Sequence, residues 1–165
     1  EGAWDGVVYA YRADGTTLWI KDVNGNVFSS PAVADLDNDE INDVVFGTAP
    51  ASAAGSVYAL NGTNGTLKWK FNIPVGYPGF HASPALADVN ENGSMEVLIG
   101  SVTSNIFYCL DYAGTCLWSF PTNPSGHIYS SAAVGDIDGD GHEEIVFGTQ
   151  ITDPSHGAIH ELRRA

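Results

Sequence analysis

The chain has 165 residues, a hydrophobic share of 44% and a formal net charge of −14, which suits one compact unit. Six Lys plus Arg against twenty Asp plus Glu argue against a nucleic-acid partner, and no apolar run approaches the ~20 residues that a membrane span needs. Gly, Asn, Ser and Thr carry much of the polar surface, a turn-rich β composition, and an opening at Glu1 without Met or a signal sequence suits a mature product or an excised piece.

Residues 6–11 alternate as a strand, Ala13-Asp14-Gly15 turns, and residues 16–20 return. A small-residue run follows at 30–34, then an acidic loop at 35–43, then Val-Val-Phe-Gly at 44–47. The succession then begins again. A second hairpin spans 55–60 and 66–69 around the turn 61–65, followed by a small run at 83–87, a loop at 88–96 and Val-Leu-Ile-Gly at 97–100. A third hairpin spans 105–110 and 115–118 around the turn 111–114, followed by a small run at 131–135, a loop at 136–144 and Ile-Val-Phe-Gly at 145–148. A fourth hairpin starts at 157–162. No window reads as a helix, because glycine, proline and β-branched residues interrupt each one.

Trp19, Trp69 and Trp118 are 50 and 49 residues apart, and Asp35, Asp88 and Asp136 are 53 and 48 apart. A period near 50 with four short strands per unit is the signature of propeller blades. The expected class is all-β: a single propeller segment over 1–165, built from four-stranded antiparallel blades. Its repeats run approximately 6–54, 55–104 and 105–156, with a partial one at 157–165. The small run suits the innermost strand, the Phe-Gly run the second, and the Tyr and Trp strands the third and the outermost. The tryptophans are expected to pack blade on blade rather than to form a ligand-stacking platform.

The loop at 136–144 reads Asp136-Ile137-Asp138-Gly139-Asp140-Gly141-His142-Glu143-Glu144. Carboxylates at positions 1, 3, 5 and 9 can aim oxygens at one centre, and glycine at 4 and 6 permits the turn. Calcium, which takes six to eight oxygens, fits better than magnesium. An EF-hand would need a bidentate Glu at position 12, where Phe147 stands. The loop at 35–43 has carboxylates at the same four positions; the loop at 88–96 has them at 1 and 9, with Asn90 and Asn92 at 3 and 5. One acidic loop could be a solvated turn. Three in register argue for metal, about three calcium ions per chain.

The small-residue strand, the D-x-D-x-D-G loop and the Phe-Gly strand resemble FG-GAP/VCBS repeats, as in the head of integrin α chains. The Gly-x-Val-Tyr-Ala-Leu and Gly-Thr-x-x-Trp hairpins are similar to the repeats of pyrroloquinoline-quinone-type propellers. The resemblance implies a calcium ion in the loop joining the first two strands of each blade. Carried over by position, the ligands are Asp35, Asp37, Asp39 and Asp43; Asp88, Asn90, Asn92 and Glu96; and Asp136, Asp138, Asp140 and Glu144. The carbonyls of Ile41, Ser94 and His142 complete the sites. Glu40 stands where glycine is usual, which strains the first turn.

Smaller signals remain. Cys109 and Cys116 face each other if Tyr112-Ala113 is a two-residue loop, as a disulfide or as two buried thiols. Asn61, Asn64 and Asn92 head N-glycosylation acceptors, although Asn-Gly is also a hairpin-turn dipeptide. His81 and His127 precede innermost strands and could reach a propeller face; His156 and His160 lie near the end. No G-x-S-x-G, H-E-x-x-H or phosphate loop occurs, so catalysis is not expected. The expectation is an extracellular or cell-surface calcium-binding module with a structural, adhesive or partner-binding role and an undetermined protein or carbohydrate ligand. Rival readings are an accessory propeller of a secreted polysaccharide lyase or quinoprotein, and a self-assembling surface-layer or filament subunit. Three blades and a fraction fall short of a closed ring, so a second copy or the rest of a longer propeller is expected at the open ends, which should present the Tyr9 and Trp19 strands on one side and the Phe147 strand on the other.

Overall fold

The structure, a computed structural model, describes residues 6–23, 25–50, 54–73, 79–102, 104–122, 126–151 and 158–162. His156 and the Gly157 start of the fourth hairpin lie outside them.

Fourteen strands and no helix are present among the described residues. β1 (Val7–Tyr11) and β2 (Thr17–Asp22) form a two-stranded hairpin. β3 (Ala32–Ala34), β4 (Asp43–Thr48), β5 (Ser56–Asn61) and β6 (Leu67–Asn72) make a complete antiparallel blade in that order. β7 (Ala85–Ala87), β8 (Glu96–Gly100), β9 (Ile106–Leu110) and β10 (Cys116–Pro121) make a second. In the last sheet β13 (Glu144–Ile151) pairs with β12 (Ala133–Gly135), with β14 (Ala158–Leu162) and, at its end, with the short β11 (Gly126–His127). The chain is thus a partial β-propeller.

Burial follows strand position. The middle strands β5 and β8 are buried on both faces, save Asn61, because a neighbouring sheet covers each side. The outermost strand β10 is mostly exposed. Three cores lie between successive sheets: Val8, Trp19, Phe46 and Leu60; Val45, Phe80, Ile99 and Tyr108; Leu98, Phe107, Ile145 and Phe147. The inner strands carry small residues and span three positions each, which suits crowding near a common axis.

The tryptophans join the sheets at their outer edge. Trp19 Nε1 donates to the Gly62 carbonyl at 2.7 Å, and Trp69 Nε1 donates to the Tyr112 carbonyl at 2.7 Å. Each ring lies over a turn glycine: a Cβ on Gly65 would fall 2.9 Å from Trp19, and one on Gly114 2.6 Å from Trp69. Packing of blade on blade is therefore what these two rings do. Trp118 has no such turn above it among the described residues and is 37% exposed.

One expectation needs correction. All three outer hairpins carry a β-bulge. In the third, Asp111 and Thr115 close a longer turn and the register shifts, so Cys109 faces Trp118 while Cys116 faces Leu110. Both cysteines are free thiols, Cys109 buried and Cys116 exposed, and burial, with the Glu96 charge adding to it, pushes the Cys109 thiol up to about 12. The β1–β2 hairpin at one open end presents Tyr11, Leu18 and Ile20 outward, as its place at an uncovered blade face implies. Trp19 and Phe147 are buried against their neighbours at 8% and 2% exposure, while Tyr11, Ile20, Ile137 and Ile159 face outward. The last sheet already holds its third strand, β14.

Candidate metal centres

The three acidic loops leave the innermost strands at one end of the sheets and share a backbone shape. Positions 4 and 6 have positive φ in each: Asn38 (61°) and Glu40 (66°), Glu91 (60°) and Gly93 (90°), Gly139 (79°) and Gly141 (90°). The left-handed conformation costs a residue with a Cβ about 1–2 kcal/mol, so Glu40 is held in the strain its sequence position implies. The position-1 carboxylate nucleates each loop. Asp35 accepts from the Asp39 and Glu40 amides at 3.1 and 2.8 Å, Asp88 from Asn92 and Gly93 at 2.9 and 2.8 Å, and Asp136 from Gly139 and Gly141 at 2.7 and 3.0 Å. Position 5 then accepts from the position-7 amide: Asp39 from Ile41, Asn92 from Ser94, and Asp140 from His142.

The loops differ in what converges. In the third, carboxylate oxygens of Asp136, Asp138 and Glu144 lie within 4.8 Å of one another, while Asp140 stands outside the group. Glu144 is 2% exposed and accepts from the Ile137 amide at 2.8 Å. The residues there fit a hard cation: three carboxylates gathered on a loop whose amides already hold the backbone open. In the second loop, Glu96 is fully buried, accepts from the Asn90 amide at 3.3 Å and leaves Oε1 without a partner. Burial, reinforced by Asp88, pushes its carboxyl above the ordinary range. At the ligand positions of that loop Asp88 and Glu96 are the two carboxylates, with Asn90 and Asn92 as neutral oxygens.

The first loop gathers Asp35, Asp37 and Asp39 within the same 4.8 Å, but a cation of the protein's own is present. Lys68 Nζ, reaching in from β6, lies 2.9 Å from both oxygens of Asp37, 2.8 Å from Asp43 Oδ2 and 3.6 Å from Asp39 Oδ2. Burial would lower the Lys68 pKa, yet the bonds to Asp43 and Asp37 outweigh it and the ammonium is held well above its ordinary value. Asp43 is fully buried, and burial drives its carboxyl upward against the pull of Lys68. Its Oδ1 has no partner. Asp43 is one methylene shorter than its counterparts Glu96 and Glu144.

Neighbouring loops are tied together. Asn38 Nδ2 donates to the Gly93 carbonyl at 2.6 Å, and His142 Nδ1 bonds Glu91. Position 2 inserts into the following sheet: Leu36 is fully buried and Val89 packs on the third core. At the opposite end of the inner strands lies a row of rings. Phe28 stacks on His81 at 4.3 Å, and His81 meets Tyr129 edge-on at 5.7 Å. His127 joins the row through Tyr129 at 6.2 Å, and burial lowers the His81 pKa. A groove of about 390 Å3 beside Trp118 is lined by Val89, Leu117, Glu143 and Leu162, among others.

Reading the sequence missed Lys68. A signal was present: the outer strands read Thr-Leu-Trp at 17–19, Leu-Lys-Trp at 67–69 and Cys-Leu-Trp at 116–118, so the lysine replaces a leucine in the blade that carries the acidic 35–43 loop.

Comparisons with known proteins agree on the architecture. A family model described as the lambda-carrageenase beta-propeller domain matches residues 2–75. The chain is 28% identical over 151 residues to Protein FAM234A of Rattus norvegicus, covering 78% of this chain and 27% of that protein. It is 26% identical over 106 residues to a lambda-carrageenase of Pseudoalteromonas sp, covering 64% of this chain and 10% of that enzyme. Among solved structures, the quinohemoprotein alcohol dehydrogenase of Comamonas testosteroni superposes with a TM-score of 0.65 at 17% identity, covering 99% of this chain and 33% of that one. The chain therefore spans 27% and 10% of the length of these two relatives. Fold and comparisons together define it as an all-β partial propeller similar to the carrageenase propeller domain and to FAM234A.

Proposed function

We propose that this chain is part of an extracellular calcium-binding β-propeller module with a structural, adhesive or partner-binding role. The observation that supports it most is the convergence of Asp136, Asp138 and Glu144 in a loop whose backbone repeats in the other two blades. Oxygen-only donors and a flexible loop suit calcium better than magnesium, and loops of this charge suit the calcium levels found outside cells. When bound, the ion would relieve carboxylate repulsion and add its binding energy to the folded state. The reading allows about three ions per chain, with Asp88, Asn90, Asn92 and Glu96 holding a second and the 35–43 loop treated below. Its ligand is a protein or a carbohydrate.

Further blades, from a longer protein or from a second copy, would complete the ring. Closed propellers have roughly four to eight blades. β14 fills the third place in the last sheet, so another copy's β1 would have to displace it. A second reading, an accessory propeller of a secreted polysaccharide-degrading enzyme, is favoured by the carrageenase propeller match over residues 2–75.

Calorimetric titration of chelator-stripped protein with calcium chloride tests the proposal. Saturable binding and a rise in melting temperature are expected. No heat of binding and an unchanged melting temperature would overturn it.

A further inference from the structure

The lysine in the first loop sits where an ion would have to sit. Its Nζ contacts three of the four carboxylates assigned there by position, Asp37, Asp43 and Asp39, at 2.8 to 3.6 Å. A calcium ion needs the same oxygens at about 2.3–2.6 Å, which would bring three positive charges into one oxygen cage.

We infer that Lys68 is a built-in counter-ion that takes the place of calcium in the 35–43 loop, so that this loop is closed without metal while the 136–144 loop depends on it. The inference rests on the calcium reading of the loops proposed above. Three further features carry it. The residue pair changes together between blades: Asp37 stands with Lys68, whereas the neutral Asn90 shares a groove with Leu117, the matching residue of β10. The position-9 side chain changes as well, since Glu96 and Glu144 reach back to loop amides while the shorter Asp43 bonds the ammonium at 2.8 Å. Finally, the adjacent Trp69 is anchored to the next blade through the Tyr112 carbonyl at 2.7 Å, so the backbone that carries Lys68 is held where the side chain reaches the loop.

The blades thus share one loop shape and use two kinds of cation. The first loop keeps its form in calcium-poor surroundings. The third responds to calcium concentration.

The test is a calcium chloride titration of the full chain by calorimetry, on chelator-stripped wild type, Lys68→Leu, Asp37→Asn and Asp138→Asn. Leucine is the residue the next blade uses, so the first variant keeps a known packing solution. Lys68→Leu is expected to bind about one more ion per chain than wild type, Asp37→Asn to leave wild-type stoichiometry unchanged, and Asp138→Asn to reduce it. An unchanged stoichiometry in folded Lys68→Leu, or a lower one in Asp37→Asn, would overturn the inference while leaving the calcium reading of the third loop intact. Should Lys68→Leu not fold, Asp37→Asn alone decides. Absence of binding in every form would overturn both.

Discussion

The contact between Trp69 and Gly114 gives a quantitative test of how the blades hold together. Trp69 is half-buried, donates to the Tyr112 carbonyl at 2.7 Å and covers Gly114, whose φ is +81° and whose added Cβ would lie 2.6 Å from the ring. Full truncation of a buried Trp costs about 3–5 kcal/mol. Half-burial reduces this, so Trp69→Ala should cost about 2–3 kcal/mol, of which the hydrogen bond supplies about 1. Gly114→Ala should cost about 1–2 kcal/mol for the left-handed backbone and about 1 more for the overlap with the ring. The two penalties are not independent. Once the ring is gone, the new methyl has room and only the backbone strain persists. The double variant should therefore be about 1 kcal/mol more stable than additivity predicts. Urea denaturation followed by far-ultraviolet circular dichroism on the four proteins of the cycle measures it. Strict additivity would refute the account of tryptophan over glycine as the blade joint.

Three other outcomes follow from the site. Glu40→Gly should raise stability by about 0.5–1 kcal/mol, since φ of +66° suits glycine; thermal melting checks it, and destabilisation would show that the turn is unstrained. Asp138→Ala should cost stability in calcium and little or none in chelator, because the carboxylate contributes binding energy in the first case and repulsion in the second; equal losses in both conditions would mark an ordinary turn. His81 has a folded-state pKa depressed below 6.5 by burial. Its contribution is therefore present above that value and lost as pH falls through the folded pKa, because the unfolded chain binds the proton more readily. His81→Phe, which keeps a ring against Phe28, should flatten the melting temperature below about pH 6.5; an unchanged slope would place the titration elsewhere.

The blade order was legible because each strand announces its place: three small residues inside, an apolar run ending in Phe-Gly next, aromatic strands outside. The loops were legible because Asp35, Asp88 and Asp136 recur with the same flanks, and the structure gives all three the same alternation of left-handed residues. Two features were hidden for different reasons. The bulge between Cys116 and Trp118 shifts pairing by one residue, and a turn of Asp-Tyr-Ala-Gly reads equally well as a short or a longer loop. Lys68 meets Asp37 and Asp43 across 31 and 25 residues of sequence, a separation that no local motif spans. The burial of Trp19 and Phe147 depended on which of two faces each strand turns toward its one neighbour. A one-residue alternation sets that face, so the strand that buries Trp19 turns Leu18 and Ile20 outward.

The proposed calcium in the third loop and the proposed exchange of ion for lysine in the first make opposite demands on the two loops. Anomalous scattering from crystals grown in calcium chloride addresses both at once. The account predicts a peak bounded by Asp136, Asp138 and Glu144 and none beside Lys68. Well-ordered loops without a peak in any of them would contradict the calcium reading, and a peak among Asp35, Asp37 and Asp39 with Lys68 turned away would contradict the exchange.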